Sequence, residues 1–203
     1  MNLADALTDI EARCDLTDLH VYAAEDTYGG FDGGAGTSPG GSLWTVEGQV
    51  LYALVRALGG SVCELGTLHG ASAAHLAAAV RANRYGMAYC IDIWEGAGSL
   101  IPADLRPYCR QQFMRGQDWL AKQKNASLAL IFEDADHDET MGETVRRLAQ
   151  TKLIPGGLLV SHDAAHASAG AHVCEGLRRA GLDFTVYLIE PSDCGLALWQ
   201  RSR

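Results

Sequence analysis

Three carboxylates stand at or directly after the ends of apolar runs in this sequence. Glu64 ends the run Val62-Cys63, Asp92 follows the segment 87–91, and Asp134 follows the segment 127–132 after one more acid. A carboxylate at the end of a buried strand can accept hydrogen bonds from hydroxyl or ammonium groups, or it can bind a divalent cation. The spacing therefore predicts that a polar ligand binds where several strands end.

Glycines follow the first of these acids. In the segment Glu64-Leu65-Gly66-Thr67-Leu68-His69-Gly70-Ala71-Ser72, glycine lets a ligand approach the backbone, and the helix that follows presents free N–H groups that suit a carboxylate. Asp92 comes about 26 residues after Gly66, a spacing typical of an acid that accepts the hydroxyl protons of a ribose. The pattern favours a nucleoside ligand, whereas the glycine spacing does not favour a dinucleotide.

A second group of polar residues follows two later apolar runs. Asp134, Asp136 and His137 come after the first run, and His162 and Asp163 come after the second. Because the carboxyl ends of parallel strands meet at one sheet edge, Asp134, His162 and Asp163 are predicted to hold a divalent ion. Oxygen ligands favour magnesium or manganese, and the histidine leaves a softer transition metal open.

The elements that must position these groups alternate along the chain. The periodicity predicts helices over 45–58, 71–82, 103–114, 138–150 and 168–180, and strands over 61–65, 87–91, 127–132, 157–161, 184–190 and 195–200. This alternation predicts an α/β fold with a Rossmann-like, doubly wound, mostly parallel sheet that ends in an antiparallel hairpin. The segment between Asp92 and Leu128 shows no clear strand.

The N-terminal region has a different character. Residues 3–13 are predicted to form an amphipathic helix, and the glycine-rich segment 29–42 is interpreted as either a lid or a linker. We therefore divide the chain into an N-terminal region, 1–43, and a ligand-binding domain, 44–203.

The pattern from Glu64 to Ser72, followed by Asp92-Ile93-Trp94-Glu95-Gly96, resembles the class I S-adenosylmethionine-dependent methyltransferases. The resemblance covers roughly residues 44–200, and it is strongest to small-molecule O-methyltransferases of the macrolide sugar O-methyltransferase and cephalosporin hydroxylase-like group. It implies S-adenosylmethionine as cofactor. The residues it implies around the methionine portion are Glu64, Gly66, Thr67, Gly70 and Ser72.

The resemblance also implies roles for residues farther along the chain. Asp92 would bind the ribose, Trp94 belongs to the same motif, and Gln117 lies in a segment similar to the one that contacts adenine. Asp134 would border the cofactor as well as the metal. In metal-dependent O-methyltransferases, the acid after the fourth strand and the acidic or amide pair after the fifth bind magnesium; Asp134 and Asp163 match, whereas His162 departs from the usual acid.

An acceptor hydroxyl needs a base to take its proton, a metal to acidify it, or both. Asp136 is the base by resemblance, and His137 is favoured by an imidazole pKa of ~6.5; both stay open. The predicted function is metal-assisted O-methylation of a small molecule. The alternatives are a metal-independent N-methyltransferase or hydroxylase-like protein on the same scaffold, or a non-catalytic nucleoside-binding subunit.

Composition narrows the set of partners. A net charge of −9 disfavours nucleic acid, and no run approaches the ~20 apolar residues of a membrane span. The N-terminus lacks the pattern of a secretory signal, so we expect a cytoplasmic protein. A homodimer is compatible with the sequence.

Overall fold

The structure, a computed structural model, describes residues 1–26, 43–135 and 138–203. Within these residues one sheet contains the strands β1 (Val62–Leu65), β2 (Ala88–Asp92), β3 (Cys109–Phe113), β4 (Leu128–Glu133), β5 (Leu153–Ser161), β6 (Thr185–Tyr187) and β7 (Leu196–Gln200). The helices are α1 (Leu3–Cys14), α2 (Leu19–Glu25), α3 (Thr45–Leu58), α4 (Ala71–Asn83), α5 (Gly116–Lys122), α6 (Glu139–Lys152) and α7 (Gly170–Arg179). None of these helices has both the length and the apolar composition that crossing a membrane requires.

The strand order is β3-β2-β1-β4-β5-β7-β6. β1 to β5 run parallel, and β7 is antiparallel to both β5 and β6. The order reverses between β1 and β4, and open α/β sheets bind ligands at the carboxyl ends of strands beside such a reversal. The predicted doubly wound sheet with its antiparallel C-terminal hairpin is confirmed.

Helices cover both faces of the sheet. Buried residues of α1 to α4 form one apolar cluster with Leu130, Phe132 and Val160. Buried residues of α5 to α7 form the other cluster with Leu65 and Ile131. Because side chains alternate along a strand, each central strand contributes to both layers. The central strand ends are therefore held between two packed layers.

The strand register determines which loops lie side by side at the candidate site. Leu65 pairs with Glu133, and Glu133 pairs with Ser161, so the residues that follow these three lie side by side. The Asp134 N–H donates to the carbonyl of Leu65 at 2.9 Å, which extends the sheet pairing by one residue. The loops after β1, β4 and β5 thus start from one line across the sheet.

The predicted helix over 103–114 is wrong. A 3₁₀ turn occupies Arg106–Tyr108, and β3 follows it directly. Pro107 has no backbone N–H to donate in a longer helix. β3 is an edge strand whose residues are exposed or half-buried, so its polar sequence carries no apolar signal. The glycine-rich segment 29–42 lies outside the described residues.

Candidate functional site

The loop between β1 and α4 carries two buried polar atoms without hydrogen-bond partners in the described part of the chain. These atoms are Glu64 Oε2 and Thr67 Oγ1, whereas Glu64 Oε1 accepts a hydrogen bond from the Ser72 hydroxyl. Burial raises the pKa of Glu64 to about 8, although the neighbouring hydroxyls of Ser72 and Thr67 act in the opposite direction. Buried polar groups are normally paired, so this carboxyl is suited to a polar ligand.

Gly66 brings the β1 loop against the β4 loop. Its φ is +92°, and a Cβ at this position would lie 2.3 Å from the carbonyl oxygen of Asp134. Only glycine allows both the left-handed backbone and this close approach. The residue predicted to let a ligand approach the backbone therefore also packs two functional loops together.

The Asp92 carboxylate connects the β1–α4 loop to the segment that follows β2. Its Oδ2 accepts from the Leu68 N–H at 2.8 Å, and its Oδ1 accepts from the Trp94 N–H at 2.9 Å. The Trp94 ring is half exposed and meets the His69 ring edge-on, with 5.3 Å between the centroids. The carboxylate keeps further lone pairs that can accept hydrogen bonds from a ligand, and its backbone contacts fix its position.

A cavity of about 200 Å³ lies beside Asp92. Its lining includes Gly66, Asp92 and Met114, at the ends of β1, β2 and β3, and Gln117 of α5. A smaller recess adjoins the β1–α4 loop and is lined by residues that include Thr67, Gly70, Ser72 and Asp134. Most of the predicted cofactor residues therefore line two depressions at the strand ends, whereas Glu64 and Trp94 line neither.

A larger cavity, of about 360 Å³, lies elsewhere, lined by the start of β5, the end of α3 and Asp15. The start of β5 lies at the amino edge of the parallel strands. Ligands of open α/β sheets bind at the carboxyl edge, so we assign the site to the smaller depressions.

His162 is fully buried and contacts three carboxylates. Its Nδ1 lies 3.2 Å from Asp134 Oδ1 and 3.5 Å from Asp163 Oδ1, and its Nε2 lies 3.0 Å from Glu47 Oε2. Burial alone lowers the pKa of His162, but hydrogen bonds to the three carboxylates outweigh it and hold the pKa well above its ordinary range. The three residues predicted to hold a metal are brought together.

Cys194 also belongs to this cluster. Its sulfur, a His162 ring nitrogen and an Asp163 oxygen all lie within 4.8 Å of one another, close enough to share one ion. Burial raises the pKa of the Cys194 thiol to about 12. Sequence reasoning missed Cys194 because it stands alone, without the close cysteine or histidine spacing of a metal motif.

Glu47 was also missed. This fully buried residue lies in the first turn of α3, where acids commonly serve as helix caps, and it accepts from the Trp44 N–H at 3.2 Å. The position of Glu47 in the sequence therefore indicates a helix cap, and only the structure shows its contact with His162. The predicted bases Asp136 and His137 lie outside the described residues.

The strand order, the reversed last pair of strands and the acid-glycine loop define the class I methyltransferase fold. The sequence pattern of the family described as "Methyltransferase domain" matches residues 63–164. The chain belongs to this family and is an S-adenosylmethionine-dependent methyltransferase. No curated protein matches the sequence.

Solved structures share the fold at low sequence identity. A protein from Corynebacterium glutamicum is 18% identical, with a TM-score of 0.64 over 97% of this chain and 95% of that one. The O-methyltransferase TomG from Streptomyces achromogenes, involved in tomaymycin synthesis and solved with S-adenosylmethionine, is 19% identical, with a TM-score of 0.63 over 98% and 96%. Aeropyrum pernix fibrillarin, with natively bound S-adenosylmethionine, is 16% identical, with a TM-score of 0.55 over 72% and 68%.

Proposed function

We propose that this methyltransferase acts on a hydroxyl of a small molecule with the help of a divalent metal ion. The observation that carries the proposal is the convergence of Asp134, His162 and Asp163 beside the loop that follows β1. TomG, an O-methyltransferase, shares the fold over nearly its whole length and supports the choice of oxygen as acceptor atom.

The residues of the β1–α4 loop fit the methionine portion of the cofactor. Glu64 Oε2 can accept from an ammonium group, and the Thr67 hydroxyl can donate to a carboxylate; both are buried and unpaired in the described ranges. Gly66, Gly70 and Ser72 complete this part. Gly66 and Gly70 have left-handed backbone and let the loop pack closely against its neighbours, and Ser72 orients Glu64.

The adenosine portion fits the cavity beside Asp92. We assign the ribose to Asp92 and the adenine to Gln117, both of which line this cavity. Trp94 belongs to the same cofactor segment: its backbone N–H donates to Asp92, and its ring meets that of His69. When bound, S-adenosylmethionine supplies an electrophilic methyl group on a sulfonium sulfur. The net charge of −9 and the acidic strand ends attract a cofactor that carries this positive charge.

The His162 cluster fits a divalent ion. Ligand atoms about 2.0–2.2 Å from one ion lie roughly 3.0–3.5 Å from each other, and the Nδ1 of His162 is 3.2 and 3.5 Å from the two aspartate oxygens. We assign Asp134, His162 and Asp163 to the ion, as Mg²⁺ or Mn²⁺. The ligand atoms that all lie within 4.8 Å of one another belong to His162, Asp163 and Cys194, and the sulfur of Cys194 favours a softer metal. A bound ion lowers the pKa of an acceptor hydroxyl.

Asp136 or His137 would take the hydroxyl proton as the oxygen attacks the methyl carbon. The carbon–sulfur bond breaks as the carbon–oxygen bond forms, which gives a methyl ether and S-adenosylhomocysteine. The base keeps the proton until water removes it. Most of the rate advantage would come from holding the acceptor in line with the methyl group.

The proposal of a small acceptor, and not a nucleic acid, rests on the net charge of −9. We assign catalysis to residues 44–203 and a covering role to α1 (Leu3–Cys14). Burial of Leu7 and Ile10 of α1 in the same cluster as α3 supports that covering role. A homodimer is compatible with this arrangement.

Metal-independent transfer is the second candidate, and one observation favours it. Both ring nitrogens of His162 already contact carboxylates, so a protonated imidazole supplies positive charge at the position of the ion. In that case the base alone activates the hydroxyl.

Methyl transfer measured across a panel of hydroxyl compounds, with Mg²⁺, with Mn²⁺ and with a chelator, separates the two candidates. Metal-assisted transfer predicts that the chelator and Asp134→Asn both abolish turnover while S-adenosylmethionine still binds. The exposed control Glu190→Gln should behave as wild type. Turnover that survives the chelator supports metal-independent transfer and contradicts the metal assignment.

A further inference from the structure

Glu47 lies outside the family match and in a different layer of the fold from the strand-end acids. We propose that Glu47 is a positioning residue: it holds the His162 ring so that Nδ1 faces Asp134 and Asp163. This inference rests on the proposed function, because it gives the metal-holding histidine its orientation.

The contact with Glu47 fixes which edge of the His162 ring faces the two aspartates. Nε2 lies 3.0 Å from Glu47 Oε2, within hydrogen-bond distance. Nδ1 is the other ring nitrogen, and it faces Asp134 and Asp163 at 3.2 and 3.5 Å. Metal-binding histidines commonly donate their other ring N–H to a carboxylate, which fixes the tautomer and the ring orientation.

Glu47 is itself held firmly. Its Oε1 accepts from the Ser192 hydroxyl at 2.7 Å and from the Gly195 N–H at 3.1 Å, and its Oε2 accepts from the Trp44 N–H. Together with His162, these donors come from the start of α3, the end of β5 and the turn before β7. A helix cap needs only the Trp44 contact; three further contacts on a fully buried charge are explained by a role in orienting His162.

The test uses the full chain and Mn²⁺ alone as the probe. Glu47→Gln replaces one acceptor oxygen by an amide that faces hydrogen-bond donors, so the His162 contact is disturbed. Ser192→Ala is the matched control, because it removes a neighbouring contact of Glu47 but leaves Nε2 in place. Mn²⁺ affinity is measured by titration, the His162 ring nitrogens by ¹⁵N NMR, and S-adenosylmethionine affinity serves as a check of the fold.

We expect Glu47→Gln to weaken Mn²⁺ binding by about 10- to 100-fold and to shift the His162 ¹⁵N resonances. Ser192→Ala should keep both near wild type, and both variants should keep cofactor affinity. Wild-type Mn²⁺ affinity and unchanged His162 resonances in Glu47→Gln would overturn the inference. If the wild-type protein binds no metal ion, the metal assignment of the proposed function fails, and the ¹⁵N resonances alone decide on Glu47.

Discussion

Binding of S-adenosylmethionine should release a proton from Glu64. The buried carboxyl has its pKa raised to about 8, so at pH 7 about nine tenths of the molecules carry the proton there. The cofactor ammonium, placed against Glu64 Oε2, stabilises the ionised form and lowers this pKa. The ligand thus prefers the deprotonated protein, and about 0.9 proton should leave for each cofactor bound at pH 7.

The coupling between proton release from Glu64 and cofactor binding determines how the cofactor affinity changes with pH. Below pH 8 the fraction of ionised Glu64 rises about tenfold for each pH unit, so the affinity should rise about 30-fold between pH 5.5 and pH 7.0. Glu64→Gln imitates the protonated carboxyl. It should bind the cofactor as weakly at pH 7.0 as at pH 5.5 and release no proton.

Calorimetric titration in buffers with different ionisation enthalpies measures the affinity and the released protons together. Ser72→Ala is a useful companion, since it removes the hydroxyl that donates to Glu64 and should raise the pKa further. A wild-type affinity that is flat from pH 5.5 to 7.0, with no proton released, would refute the assignment of the ammonium to Glu64.

Three further predictions concern the loops, the core and the ion. Gly66→Ala should lower the free energy of unfolding by about 2–5 kcal/mol in denaturant, because it combines backbone strain with a clash against Asp134. The control Gly181→Ala should cost less, because Gly181 also has positive φ but has open space around it. Equal losses in the two variants would contradict the close packing of Gly66 against Asp134. Arg146→Met should cost about 3–5 kcal/mol, since it leaves the buried Glu133 without its 2.8 Å ion pair, and a loss below 1 kcal/mol would count against that pair. Asp163→Asn should abolish metal-stimulated turnover while keeping cofactor affinity in the same calorimetric assay, and full turnover in this variant would remove Asp163 from the metal site.

The positions of the strand-end residues could be predicted from the sequence where the sheet is parallel and buried. The acids at the ends of β1, β2 and β4 and the pair after β5 could be placed at one edge because parallel strands end together there. Their apolar strands made the periodicity plain. The prediction failed over 103–114, where β3 is an edge strand with a polar, half-exposed sequence and leaves no such signal.

The contacts of Glu47 and Cys194 could not be read from the sequence for a different reason. Glu47 and His162 are 115 residues apart, and neither belongs to a motif with the other. Cys194 reaches the site through the turn before β7, whose antiparallel pairing with β5 brings it beside Asp163. Such contacts depend on how separate elements pack, and local spacing does not encode that packing.

Calorimetric titration of the protein with S-adenosylmethionine at pH 7, with and without Mg²⁺, shows whether the strand ends bind the cofactor. We expect saturable binding of one cofactor per chain in both conditions, lost or greatly weakened in Asp92→Ala. Absence of binding in both conditions by a protein that is folded would contradict the assignment of the strand-end site.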